Sequence, residues 1–148
     1  MIRLGVVKAC VLATAILIAL MAISACQGKA QNTAGPIFKR ITTSSKSFSI
    51  DCVPTSVTVT AQLTAPSGIK RVLLYSRVGI DQPYTAVEMN AAGDVYQGTV
   101  KAVDIPGKGY GVWEFYITAE DMAGNQSQTP PDRSVEMLQC VSHRALLA

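Results

Sequence analysis

The feature that most constrains the fold is a strict alternation of apolar and polar side chains between Val57 and Leu63. Valine, alanine and leucine at the odd positions alternate with threonine and glutamine at the even ones. Successive side chains of a β-strand point to opposite faces of its sheet, so this period of two predicts a strand with one buried face. The segment Val112–Ala119 shows the same period with larger residues and places Trp113 and Phe115 on the apolar face.

Short segments of this kind follow one another along the chain, separated by residues that favour turns. They cover 72–77, 85–89, 95–100 and 134–140, with turn residues at 65–68, 81–83, 90–94 and 123–125. Roughly seven short strands spaced by turns over about 95 residues are typical of a β-sandwich. We therefore predict an all-β fold, a single antiparallel two-sheet β-sandwich over 47–141, followed by a short tail at 142–148.

The N-terminal segment has the order of an export signal. Arg3 and Lys8 give a positive start, the run from Ala9 to Ile23 is uncharged, and two small residues precede Cys26. This order is typical of a cleavable secretory segment. An uncleaved anchor and an ordinary soluble secretion signal are the alternatives. As a helix, 9–25 would span about 25 Å at about 1.5 Å per residue, which is short of a hydrocarbon core of about 30 Å.

The sequence Ile23-Ser24-Ala25-Cys26 resembles the lipobox of bacterial lipoproteins at all four positions. The resemblance implies cleavage before Cys26, acylation of its thiol, and a mature protein held by lipid on the outer side of the cell membrane or in the outer membrane. Segment 1–25 is then the signal peptide. The Gly-, Ala-, Thr- and Ser-rich stretch 26–46 is the lipidated N-terminus and a flexible tether, although Ile37 and Phe38 leave a short strand open there.

The basic excess of the chain belongs largely to the signal. The full sequence has 13 basic and 10 acidic residues, and removal of Arg3 and Lys8 leaves 11 against 10, a net charge of +1. A nucleic-acid-binding domain has Lys and Arg clustered on one face. The composition therefore gives no support for a nucleic-acid partner.

The cysteines sort into two groups once the signal is set aside. Cys10 lies in the signal and Cys26 is the acylation site, which leaves Cys52 and Cys140 as an even pair in an oxidising compartment. We predict a disulfide between them. Two thiols without a nearby histidine or third cysteine do not make a zinc site, so no metal or cofactor is expected.

Two segments resemble bacterial Ig-like and fibronectin type III-like domains. The first is 57–77, and the second is Trp113–Asp121 followed by Ala123-Gly124-Asn125. The resemblance covers about residues 47–140 and implies an extracellular interaction module or spacer. One departure is clear: antibody domains join two core strands by a disulfide, whereas Cys52 and Cys140 flank the patterned region.

The sequence offers no catalytic constellation. His143 is the single histidine and lies in the tail, without a nucleophile and acid placed around it. Glu120, Asp121 and Asn125 surround a turn and leave calcium as an alternative, but an Asx-type turn accounts for them with fewer ligands than calcium needs. We therefore predict no enzymatic activity and no catalytic residue.

The aromatic residues are the remaining candidates for a binding surface. Alternation assigns Trp113 to the core and points Tyr75, Arg77 and Tyr116 the other way. These three residues form the predicted contact surface. The leading hypothesis is a membrane-anchored, non-catalytic interaction or spacer module that contacts the bilayer through Cys26 and a protein or glycan through this surface. The alternatives are a carbohydrate- or ligand-binding module that uses exposed tyrosines, and a small hydrolase or inhibitor.

Overall fold

The structure, a computed structural model, describes residues 34–106 and 110–140 and consists there mostly of β-strands. The strands are β1 Ile37–Thr43, β2 Ser47–Ser49, β3 Ser56–Thr64, β4 Ile69–Val78, β5 Thr85–Glu88, β6 Asn90–Ala92, β7 Val95–Lys101, β8 Gly111–Asp121, β9 Gln126–Gln128 and β10 Asp132–Leu138. A 3-10 turn, Ala102–Asp104, follows β7. The described residues contain no helix long and apolar enough to cross a membrane.

The strands form two sheets, as the sequence predicts. The four-stranded sheet has the order β1-β3-β7-β6. The six-stranded sheet has the order β2-β10-β8-β4-β5, and β9 pairs with the second half of β8. The short strand β2 runs parallel to β10, and this corrects the expectation of a wholly antiparallel arrangement. Side-chain alternation indicates which face of a strand is buried but carries no information on the direction of its partner.

The core lies between the two sheets and is built from the apolar positions of the alternating strands. In β3 the residues Val57, Val59, Ala61 and Leu63 are at most 1% exposed. Trp113 of β8 is fully buried, and its ring lies 5.5 Å from Phe48 and 4.7 Å from Phe115, measured between centroids. The predicted place of Trp113 in the core is therefore confirmed.

The fold begins earlier in the chain than the predicted boundary at residue 47. Strand β1 falls inside the stretch 26–46, which the sequence analysis treats as a tether with room for a short strand. It pairs antiparallel with β3, and Phe38 and Ile41 pack against the core. This edge strand has only one or two apolar side chains on each face, so its sequence shows little alternation of apolar and polar residues.

Cys52 and Cys140 form the predicted disulfide, with their Cα atoms 6.1 Å apart. Cys52 follows β2 and Cys140 follows β10, so the bond joins the chain beyond the ends of two adjacent strands of the six-stranded sheet. The signal peptide 1–25, the acylation site Cys26 and the tail with His143 lie outside the described residues.

Candidate functional site on the outer face of the six-stranded sheet

Strands β4 and β8 lie side by side in the six-stranded sheet, and their register aligns outward side chains in rows. From one end of the strands to the other, the aligned pairs are Arg77 with Glu114, Tyr75 with Tyr116, Leu73 with Thr118, and Arg71 with Glu120. Strand β9 extends the last row, because Gln126 pairs with Glu120. We call these four rows the outer face of the six-stranded sheet.

Glu114 is the centre of the first row. It points away from the core and yet is only 4% exposed. Its Oε1 accepts hydrogen bonds from Arg77 Nε at 3.0 Å and Arg77 Nη2 at 2.6 Å. The Tyr84 hydroxyl donates to the same oxygen, and Arg133 Nε donates to Oε2. One carboxylate thus joins β4, β8, β10 and the β4–β5 loop.

The hydrogen bonds set the charge state of this cluster. The hydrogen bond from the Tyr84 hydroxyl has the largest effect on the pKa of Glu114 and lowers this pKa. Burial raises the pKa, and hydrogen bonds from the guanidinium groups of Arg133 and Arg77 lower it further. The resulting pKa of Glu114 is about 2, against an ordinary value of 4.5. Burial, reinforced by the bond to Glu114, raises the pKa of Tyr84. At neutral pH the pair is therefore a carboxylate and a protonated phenol.

Three tyrosine rings continue the cluster into the second row. Tyr75 and Tyr116 stack with centroids 4.9 Å apart and planes 6° apart. Tyr84 meets Tyr116 edge to face at 4.8 Å. The guanidinium carbon of Arg77 lies 4.3 Å from the centroid of Tyr84, within the range of a cation–π interaction. The rings and the buried carboxylate therefore hold one another in place.

The predicted contact residues Tyr75, Arg77 and Tyr116 do come together, because β4 and β8 are neighbours. The charge of Arg77 is not available to a ligand, however, because its side chain is only 19% exposed and is paired with Glu114. The contact surface predicted from the sequence did not include Glu114, Tyr84 or Arg133. An acidic residue facing outward between Trp113 and Phe115 looks in the sequence like an ordinary solvated position.

Beyond the tyrosine stack lies a small groove over the third and fourth rows. It has a volume of about 150 Å³ and is lined by Arg71, Leu73, Tyr75, Thr118, Ala119, Glu120 and Gln126. Glu120 binds Lys70 at 2.6 Å. Arg71 makes no hydrogen bond or ion pair with any residue that the structure describes. The groove thus offers a floor of Leu73 and Thr118, with charged and amide groups at one end.

Asp121 is the other buried acid and serves the turn that the sequence suggested. Its Oδ1 accepts hydrogen bonds from the backbone N–H groups of Ala123 at 2.9 Å and Asn125 at 2.8 Å, and its Oδ2 accepts one from the Asn125 amide at 2.9 Å. Burial raises the pKa of Asp121, but these bonds and the Ser67 hydroxyl outweigh it, so the pKa lies below its usual range. Both carboxylate oxygens of Asp121 are used in holding the turn.

The outer face of the four-stranded sheet differs in its chemistry. A hollow of about 370 Å³ on this face is lined by Arg40, Thr42, Thr60, Gln62 and Val95. This hollow is larger than the groove of the six-stranded sheet, but no aromatic side chain lines it. Within 34–106 and 110–140, no group of three or more His, Cys, Asp or Glu residues is placed to hold a metal ion.

Comparison with known proteins identifies no family for this chain. No family model matches the chain, and no curated protein matches it. Among solved structures, the chain is similar to a crystal structure of a bromine derivative of BhCBM56, a carbohydrate-binding module. The TM-score is 0.40 and the identity 18%, over 55% of this chain and 80% of that chain. A likeness at this level carries no argument about the fold or the ligand of this chain.

Proposed function

We propose that this protein is a lipid-anchored, extracytoplasmic, non-catalytic binding module with an Ig-like β-sandwich. Its contact surface is the outer face of the six-stranded sheet, centred on Tyr75, Tyr116 and Arg77. The observation that carries the proposal is the stack of Tyr75 on Tyr116, whose ring centroids are 4.9 Å apart. Glu114, only 4% exposed, holds Tyr84 against this stack.

The strand order supports the Ig-like assignment. An immunoglobulin constant domain has one sheet of its first, second, fifth and fourth strands and another of its third, sixth and seventh. The order β1-β3-β7-β6 fits the first sheet, and the adjacent β4, β8 and β10 fit the second, with β5 added at the edge. The short strand β2 and the small β9 are additions to this scheme.

The lipid anchor is supported by the sequence alone. Acylation of Cys26 leaves about ten residues before β1 begins at Ile37, a connection of at most about 35 Å when fully extended. Each buried methylene contributes about 0.8 kcal/mol, so two or more acyl chains hold a protein firmly where one does not. The sandwich would therefore remain close to the membrane surface.

A binding role accounts for the outer face better than a spacer role. Aromatic residues and Arg are enriched at protein interfaces, and side chains fixed before binding lose less entropy when a ligand arrives. Glu114 fixes Tyr84 and Arg77, and Tyr84 in turn packs against Tyr116. A spacer has no need for such an ordered array on one face only.

Two measurements on the full chain test the proposal. Fractionation of cells should place the wild-type protein with membranes, and Cys26→Ser should release it. A photo-crosslinking amino acid at position 116 should give discrete adducts at the cell envelope, while the same group at position 60, on the opposite sheet, should give none. Membrane retention of the serine variant would contradict the anchor, and equal crosslinking from both positions would contradict the contact surface.

A further inference from the structure

We propose that the groove beside Tyr75 binds a neutral pyranose ring of a polysaccharide, with Arg71, Glu120 and Gln126 as the residues that recognise its hydroxyl groups. This inference rests on the proposed function, since it names the class of ligand for that surface. It depends on the register of three strands and on the pairing of the charges around the groove.

The geometry of the groove follows from the rows of the sheet. Leu73 and Thr118 form the row between Tyr75 and Arg71, so they make the floor. Tyr75 and Arg71 are four positions apart in β4, which places their backbones about 13 Å apart along the strand. Arg71, Glu120 and Gln126 lie side by side across three strands and close the far end.

The size of the groove limits what it can hold. Sites for drug-sized ligands range from about 300 to 1,000 Å³, whereas this groove has about 150 Å³. It therefore suits one ring or side chain of a longer molecule, with the remainder lying outside. A sugar unit within a polysaccharide is a ligand of this kind.

The charges around the groove exclude simple ions as the ligand. Arg71 and Lys70 would repel a cation, and Glu120 would repel an anion at the same end of the groove. Lys70 already pairs with Glu120 at 2.6 Å. The end of the groove consequently presents donors and acceptors together, in the guanidinium of Arg71, the carboxylate of Glu120 and the amide of Gln126. A sugar hydroxyl both donates and accepts hydrogen bonds, so a pair of adjacent hydroxyls satisfies both kinds of group.

The chemistry of the other walls matches the rest of a sugar ring. A pyranose has apolar C–H faces as well as hydroxyls, and Leu73 and the half-buried Tyr75 provide apolar surface opposite the polar end. Tyr116 stacks on Tyr75 and fixes the ring that the sugar would meet. Because Tyr116 holds the Tyr75 ring in place before a ligand arrives, the entropic cost of ordering that ring on binding is lower.

A peptide is the competing ligand, and the backbone argues against it. The groove lies over β8, which pairs with β4 on one side and with β9 on the other. Peptides that bind sheets usually add a strand to a free edge, where unpaired backbone groups supply the affinity. Here the ladder at Thr118 and Glu120 is occupied on both sides, so recognition must come from side chains.

The test is calorimetric titration of the full chain in detergent micelles with cellohexaose, chitohexaose and mannohexaose. At least one of them should bind. Arg71→Ala should weaken its Kd about tenfold or more, since a hydrogen bond to a charged group contributes about 1.5–3 kcal/mol. Gln126→Ala should weaken the Kd by a smaller factor. The matched control is Arg40→Ala, an exposed arginine that lines the hollow of the opposite sheet, and it should change the Kd less than twofold.

Arg71 and Gln126 are exposed and their side chains have no partner among the described residues, so loss of binding in these variants would not reflect unfolding. No heat with any of the three sugars, or equal effects of Arg71→Ala and Arg40→Ala, would overturn the inference. A photo-crosslinking amino acid placed at position 75 gives a further test: an adduct that proteases digest and periodate leaves intact would be a protein, and it would also overturn the inference. In these cases the proposed function stands if Cys26→Ser is released from membranes and position 116 still crosslinks, so the two failures are distinguishable.

Discussion

The outer faces of the two sheets come from the same kind of strand and yet differ in organisation. In the four-stranded sheet, Thr58 and Thr99 share a hydrogen bond of 2.9 Å and Gln62 donates one of 2.8 Å to Asp94. These contacts are exposed and join side chains in pairs. In the six-stranded sheet, the single carboxylate of Glu114 binds three side chains, those of Arg77, Tyr84 and Arg133. Tyr84 also contacts the stacked tyrosine rings through Tyr116.

The difference shows that a solvent-side position is not always a solvated one. The β4–β5 loop brings Tyr84 over β8, and Arg133 reaches Glu114 from β10, so that Glu114 is covered without belonging to the core. A buried charge is stable only when its hydrogen-bonding capacity is satisfied. The partners of Glu114 therefore have to be placed accurately, and the tyrosines packed against them become fixed as well.

The largest expected effect concerns the covalent link of the six-stranded sheet. Replacement of both Cys52 and Cys140 by serine opens a link between residues 88 positions apart. We expect the free energy of unfolding to fall by about 2–5 kcal/mol, because the unfolded chain regains conformational freedom. Chemical denaturation measures this loss. The reduced wild-type protein is the control and should match the double variant, and equal stability of oxidised wild type and variant would contradict the prediction.

The next effect is the dependence of stability on pH through Glu114. Its pKa is about 2 in the folded protein and 4.5 in its ordinary state, so the unfolded chain takes up a proton first as the pH falls. The stabilisation is complete above pH 4.5 and is lost as the pH falls from there towards 2. Glu114→Gln should lower the free energy of unfolding at pH 7 by about 2 kcal/mol and flatten the loss between pH 4.5 and 2.

Glu88→Gln is the matched control for this experiment. Glu88 is exposed on β5 of the same sheet and makes no ion pair with the described residues. This variant should show the same acid dependence as the wild type. An unchanged slope in Glu114→Gln would mean that the hydrogen-bonded cluster around the carboxylate does not contribute to stability.

The smallest expected effect compares the two faces directly. Tyr116→Ala removes ring contacts with Tyr75 at 4.9 Å and Tyr84 at 4.8 Å, and each aromatic pair contributes about 0.5–1.5 kcal/mol. We expect a loss of about 1–2 kcal/mol in the free energy of unfolding. Thr60→Ala, at a half-buried outward position of the opposite sheet, should stay within about 0.5 kcal/mol of the wild type. Equal losses in thermal denaturation would show that the stack adds no stability.

Parts of this organisation were predictable from local pattern. The alternation in β3, β4 and β8 identified the core residues Val57 and Trp113 and also placed Tyr75 and Tyr116 on an outward face. The even cysteine pair indicated the disulfide. The Asx-type turn at Asp121 was likewise predictable, because its partners lie within four positions in the chain.

The Glu114 cluster was not predictable in the same way. Glu114 lies 37 positions from Arg77, 30 from Tyr84 and 19 from Arg133. The strand β10 also has an irregularity in its register next to Arg133, between Asp132 and Val135. A contact of this kind depends on strand order and register, and the side-chain alternation of a single strand predicts neither of them.

By itself, the sequence determined which side of each main strand is apolar and where the chain turns, and it predicted that Cys52 and Cys140 pair. These properties follow from side-chain alternation and turn chemistry, which act over a few residues. Only the tertiary structure decided that Arg71, Glu120 and Gln126 stand in one row and that Glu114 is buried on an outward face. The physical reason is that backbone pairing between distant segments selects the neighbours of a side chain, whereas its own strand selects only its direction.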